Sequence, residues 1–135
     1  MIKVVCAIIQ FEDKILIAQR SETMSLPLKW EFPGGKIEEG ENKEEALERE
    51  IYEELKMKVE VKEALTPVEH HYPSFSITLY PFHCKVESPA FLKTEHKEIK
   101  WEKKENLHTY DWAAADIPIV EEIGKAQNQC LFNGS

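Results

Sequence analysis

The chain has 135 residues, 42% of them apolar, and a formal net charge of -8. That length can bury one good core and shows no linker or second composition regime, so residues 1–135 are expected to form a single domain. The acidity, with no basic stripe to offset it, excludes a polyanionic partner such as DNA or RNA, while a single nucleotide could still enter if divalent metals inverted the local charge.

Cys6, Cys84 and Cys130 lack any CXXC spacing and leave one unpaired, which points to reduced thiols in a cytoplasm. The start, MIKVVCAIIQFEDK, has an apolar run over residues 4–9, too short for a membrane span and without a cleavage pattern. It reads as a strand, residues 2–10, joined at Glu12, Asp13 and Lys14 to a second over residues 15–19. Residues 30–32 form a short strand entering a turn at Pro33, Gly34 and Gly35. A helix follows over residues 43–55, then β-rich stretches 59–69 and 74–86 that meet around Tyr72 and Pro73, and a short strand 99–102. Residues 116–129 close as a helix, with Asp116 a good N-cap before Ile117, Pro118 and Ile119. The tail 128–135 is expected to be poorly ordered, although Leu131 and Phe132 could dock. His70 and His71 are adjacent, as are His83 and Cys84, so in strands each pair points to opposite faces and no zinc site is expected. The alternation of strands with two helices predicts an α/β fold with a mixed sheet packed between helices.

The most informative stretch is residues 35–57, GKIEEGENKEEALEREIYEELKM. At about 100° per residue, Glu50, Glu53 and Glu54 fall on one side of the predicted helix. Leu47, Ile51 and Leu55 form an apolar stripe beside them, which places the carboxylates at the edge of the core. Clustered carboxylates that are partly buried need a counter-charge, and a hard divalent cation such as Mg2+ suits their oxygens. The competing reading is a solvated acidic face with i to i+4 pairs. Arg49, beside the cluster, is expected to make a charge-assisted bond to a neighbouring carboxylate such as Glu41.

The same stretch resembles the signature box of the Nudix hydrolases, GX5EX7REUXEEXGU with U apolar. Gly35, Glu41, Arg49, Glu50, Ile51, Glu53, Glu54 and Met57 fall on its positions. Lys56 stands where the family has glycine, so the helix must exit through a lysine in the left-handed conformation or run on slightly. Residues 30–36 (WEFPGGK), 69–84 and 112–120 (WAAADIPIV) resemble the MutT-type branch, most of all its CTP pyrophosphohydrolases. The resemblance implies an α/β/α sandwich and a Mg2+-dependent nucleoside triphosphate pyrophosphohydrolase, with Mn2+ able to substitute. A Nudix hydrolase of another diphosphate, such as a nucleotide sugar or dinucleoside polyphosphate, and a non-catalytic nucleotide sensor are the alternatives. A monomer and a homodimer both stay open.

By the same resemblance Glu50, Glu53, Glu54 and the Gly34 carbonyl ligate metal, the absent side chain of Gly34 permitting close approach. Glu95 matches the loop glutamate that binds metal and deprotonates water, delivered by a mobile loop, whereas Glu53 is the base in other branches; Glu98 is a weaker competitor. Arg20 and Asp116 match base-contacting positions. An ionised Asp116 accepts only, which suits the exocyclic amine of cytosine or the N1 and N2 donors of guanine and tilts the reading toward cytidine nucleotides; oxidised guanine stays open, particularly with Asp116 protonated in a dry pocket. Lys36 could meet a phosphate, and Tyr72, Phe75 and Tyr80 could form a stacking wall, although aromatics in strands more often pack in cores. Trp30 and Trp112 are read as packing residues.

Overall fold

A computed structural model describes residues 1–128. The central strand β1 (Ile2–Phe11) is buried on both faces from Val5 to Ile9, as is β2 (Lys14–Gln19) from Ile15 to Ala18. Such continuous apolar runs are what a sheet covered on both sides demands. Cys6 and Ile8 face one layer, and Val5, Ala7 and Ile9 the other, so strand alternation divides the interior into two cores.

The sheet also contains β3 (Trp30–Glu31), β4 (Gly34–Lys36), β5 (Glu60–Ala64), β6 (Val68–His71), β7 (Ser76–Lys85) and β8 (Glu98–Lys103). Its main path runs β3-β2-β1-β7-β5, with β4 paired to β1, β6 to β7 and β8 to β2. Among the paired strands of the described residues only β1 and β7 run parallel, from Ile2 opposite Ile77 to Gln10 opposite Lys85, with one isolated parallel bridge from Trp30 to Trp112, so the sheet is mixed as expected. Two details depart from the sequence reading. Gly34 and Gly35 are not only a turn; with Lys36 they form β4 against residues 4–6 of β1. The 59–69 stretch breaks into β5 and β6, with the Leu65 N–H donating to the Pro81 carbonyl between them.

Helix α1 (Lys43–Leu55) covers one face, burying Ala46, Leu47, Ile51 and Leu55. Its start is a capping box: the Asn42 side chain accepts from the Glu45 N–H at 2.8 Å, and the Glu45 carboxylate accepts from the Asn42 N–H at 3.0 Å. Its exit is Lys56 in the left-handed region, φ 55° and ψ 34°, with its N–H on the Tyr52 carbonyl. On the other face, α2 (Ile117–Asn128) packs Ile119 and Ile123 onto the second core, which also holds Trp30, Phe32 and Trp112. Trp112 stacks on Phe32 at 4.7 Å and donates Nε1–H to the Leu107 carbonyl, so both tryptophans pack as expected. His83, likewise buried, bridges Glu63 and Gln10 at 2.8 Å each. Gln129, Cys130, Leu131 and Phe132 lie outside the described residues. Among the described residues no helix is long and apolar enough to cross a membrane.

Lys56 is exposed and left-handed, a conformation that costs a side-chain-bearing residue about 1 kcal/mol. Lys56→Gly is therefore expected to raise the free energy of unfolding by about that amount, read from urea unfolding with an unchanged slope. An unaltered or lower midpoint would show that the lysine's contact over the Tyr52 ring, 5.3 Å from the centroid, offsets the strain.

Candidate active site

Beside α1, β4 and the central sheet lies a cavity of about 360 Å3. At one end it is lined by Gly34, Gly35, Lys36, Glu31, Glu54, Glu95 and His96; at the other by Tyr72, Phe75, Ile77, Leu79, Ala115 and Asp116. One wall is therefore carboxylate-rich and the other mostly apolar, as a small polar ligand with a ring at one end requires.

The acidic end is organised by Arg49. Its Nε and one terminal nitrogen grip both oxygens of Glu41, at 2.6 and 3.0 Å, so the charge-assisted bond expected from the sequence is bidentate. The same guanidinium donates to Glu50 at 3.0 Å, Glu53 at 3.1 Å and the Lys36 carbonyl at 3.1 Å. These partners hold its pKa far above even the usual arginine value, Glu41 first among them. Glu50 and Glu54 turn inward, while the Glu53 side chain lies out on Arg49 and is 59% exposed. Among the described residues no three Asp, Glu, His or Cys side chains already converge on one point as they do around a bound ion, and Arg49 holds three of the box carboxylates, Glu41, Glu50 and Glu53.

The donors nevertheless fit a hard cation in kind. Glu54 Oε2 is buried without a hydrogen-bond partner, an orphan acceptor that a divalent cation would satisfy. Burial first, then the charges of Glu31, Glu50 and Glu95 and a bond shared with Glu50, push the Glu54 carboxyl up to about 9. A cation would reverse that shift. The two glycines have separate roles. A Cβ on Gly34 would strike the backbone of Val5 and Cys6, so its missing side chain serves the approach of β4 to β1 and not, as the sequence suggested, the approach of a ligand. Gly35 makes room for the carboxyl of Glu50, which a Cβ there would overlap.

Glu95 stands at the cavity rim on residues 93–97, and Glu98 begins β8 outside the lining. The segment carrying Glu95 is bonded on both sides of it: Thr94 Oγ1 donates to the Glu54 carbonyl at 3.0 Å, and His96 Nε2 meets Glu31 Oε2 at 2.8 Å. Sequence reasoning assigned no role to Glu31 or His96. Strand alternation gave a signal for Glu31, a charge set between the core residues Trp30 and Phe32; a lone histidine after a glutamate gives none.

At the apolar end, Tyr72 and Phe75 line the cavity with their rings 5.0 Å apart, and the Tyr72 hydroxyl accepts from the Ala115 N–H at 3.0 Å. Tyr80 does not join them. Ile77 and Leu79 take the cavity face of β7, so alternation sends Tyr80 to the α1 side, where Lys43 Nζ sits 4.6 Å from its ring centroid. Arg20 borders the cavity with its guanidinium engaged by the Ser25 carbonyl, the Ser25 hydroxyl and Glu31. Asp116 ends a short 3-10 turn before α2, but the bond of its Oδ2 is to the Phe32 N–H at 3.0 Å, which ties α2 to the β3 end where an N-cap was expected. Burial, then the charge of Glu31, lifts its carboxyl from the usual 3.8 to about 8, against the lowering effect of the Phe32 bond and Arg20.

A family model described as the NUDIX domain matches residues 4–122, and the chain belongs to the Nudix family. Within it the chain is a Nudix hydrolase of the MutT type. It is 36% identical over 121 residues to the CTP pyrophosphohydrolase of Escherichia coli strain K12, covering 90% of each chain. It is 39% identical over 92 residues to the 8-oxo-dGTP diphosphatase of Proteus vulgaris, covering 68% of this chain and 74% of that protein. A solution structure of a MutT Nudix hydrolase from methicillin-resistant Staphylococcus aureus 252 superposes with a TM-score of 0.74 at 47% identity, covering 90% of this chain and 94% of the other.

Because the folded state raises the Asp116 pKa, its neutral form is favoured in the native protein, and this contribution to stability is complete below about pH 3.8 and lost as pH rises through about 8. Stability of the metal-free protein should therefore fall across that window more steeply in the wild type than in Asp116→Asn, by up to about 1.4 kcal/mol per pH unit. Urea unfolding of both proteins at a series of pH values measures the difference, and parallel curves would show that Asp116 is ionised throughout.

Proposed function

We propose that the protein is a Mg2+-dependent nucleoside triphosphate pyrophosphohydrolase, converting a cytidine or modified nucleoside triphosphate and water to the monophosphate and pyrophosphate. The observation that carries this is the cavity, whose lining joins the α1 carboxylate Glu54, Glu31, Glu95 and β4 to a buried aspartate among apolar residues, with Glu50 and Glu53 held on Arg49 behind it. Relatives named CTP pyrophosphohydrolase and 8-oxo-dGTP diphosphatase support that substrate class. A free nucleotide, and not a nucleic acid polymer, suits a chain of net charge -8. The buried free thiols of Cys6 and Cys84 suit a cytoplasmic setting.

Glu50, Glu53, Glu54 and the Gly34 carbonyl would hold the metal, and Mn2+ would be able to take its place. Bound there, a divalent cation neutralises phosphate oxygens and stabilises the anionic transition state. Arg49 keeps the ligand carboxylates aligned through Glu41. Glu95 is the base: it takes a proton from water as the oxygen bonds to phosphorus, and the bridging P–O bond breaks to release pyrophosphate. Lys36 meets a phosphate. Tyr72 and Phe75 flank the base and Asp116 reads it, by accepting from the cytosine amine when ionised, or by donating as well when protonated. The engaged guanidinium of Arg20 shapes the base end by holding Ser25 and Glu31 in place.

Pyrophosphate release should be measured with Mg2+ across the ordinary nucleoside triphosphates, 5-methyl-dCTP, 5-hydroxy-CTP and 8-oxo-dGTP. Turnover is expected to favour cytosine substrates, to vanish with a chelator, to return with Mg2+ or Mn2+, and to drop by about 100-fold or more in Glu53→Gln. Preference for 8-oxo-dGTP would keep the chemistry and reverse the reading of Asp116. Binding of every nucleotide without release from any would point to a sensor.

A further inference from the structure

Glu95 projects from a segment with no helix or strand of its own, yet the residues on either side of it are tied to different parts of the site. Thr94 bonds the Glu54 carbonyl, at the end of the helix that carries the box carboxylates. His96 is 7% exposed, and its Nε2 donates to Glu31 Oε2 at 2.8 Å, while the other oxygen of Glu31 takes Arg20 at 2.8 Å. The backbone N–H of Lys97 closes the segment on the Gln19 carbonyl at 2.9 Å. A buried imidazole requires such a partner, and here the partner lies 65 residues away on β3.

We propose that His96 is a positioning residue for the reaction: its bond to Glu31 fixes the backbone on the far side of Glu95, so that the carboxylate is held at the cavity rim. This rests on the reading of Glu95 as the base. The carboxylate sits on a flexible side chain whose reach is set by where the backbone stands, and a displacement near 1 Å at a reacting group can cost about 100-fold in rate. Glu31 also receives Arg20, so one carboxylate joins the segment bearing Glu95 to the Arg20 and Ser25 wall of the base end.

The test compares His96→Phe, which keeps a ring and loses the donor, with His96→Gln, whose Nε2 lies the same number of bonds from Cβ as that of histidine. Both are measured for kcat, KM and thermal midpoint, alone and combined with Glu95→Gln. In the metal-free protein, amide exchange over residues 93–97 gives a readout independent of turnover. His96→Phe is expected to lower kcat by about 10- to 100-fold with KM within about twofold, and to speed exchange in that segment alone. His96→Gln is expected to recover most of kcat and the slow exchange, and the Phe effect on kcat is expected to disappear in the Glu95→Gln background. Equal losses in Phe and Gln, additive losses with Glu95→Gln, or unchanged exchange in His96→Phe would overturn the positioning role and leave the base assignment standing. Glu95→Gln at the wild-type rate would instead overturn the base assignment, and the positioning role with it.

Discussion

The close approach of Gly34 and Gly35 to their neighbours is the constraint on which the site depends. β4 runs beside residues 4–6 of β1, where a Cβ on Gly34 would lie 2.7 Å from the Cys6 Cα. Gly35, one residue on, has the Glu50 carboxyl where its own side chain would stand. No other residue type lets one strand lie against the backbone on one side and a helix carboxylate on the other. The helix is consequently drawn onto the sheet where β4 pairs with residues 4–6 of β1. The cavity lies beside that pairing, lined by Val4, Val5 and Cys6 of β1, by Gly34, Gly35 and Lys36 of β4, and by Glu54 of α1.

Charge then shapes what the backbone has gathered. Arg49 is the cation shared by Glu41, Glu50 and Glu53, and through the Lys36 carbonyl it joins β4 to α1 as well. A fully charged acidic cluster at a core edge would be costly, and the molecule limits that cost in two ways. Arg49 neutralises the outer carboxylates, and burial holds the proton on Glu54. The same oxygens that suit a divalent cation are in this way kept stable without one.

The sequence was most legible where local rules act. The stripe of Leu47, Ile51 and Leu55, the Arg49 to Glu41 pairing and the left-handed Lys56 all follow from interactions within about a dozen residues of chain, and all stand in the structure. The two faces of the sheet were legible too, since β1 and β2 read as continuous apolar runs. Misreadings arose where register or distant partners decide. A glycine pair ordinarily signals a turn, and only the pairing with β1 makes it β4. Tyr80 has the composition of a stacking residue but the wrong parity on β7. Asp116 has the sequence context of a cap, yet its acceptor is spent on Phe32, 84 residues earlier. Glu31 and His96 owe their roles to each other, and no local pattern announces a bond of that span.

The parallel pairing of β1 with β7 also bears on how the molecule is made. Ile2 faces Ile77 and Gln10 faces Lys85, a constant offset of 75 residues, and no hairpin can shorten it. Closing so large a loop must precede the contacts that reward it, which makes this a topology for slow folding. As the chain emerges from the ribosome, the capped helix with its box glutamates is available early, while its sheet stays incomplete until residue 103, the end of β8, has been released. During that interval α1 can cover one face of β1 and β2, while the face bearing Ile8, Ile15 and Ile17 waits for α2 and is the surface that chaperones or aggregation would find first.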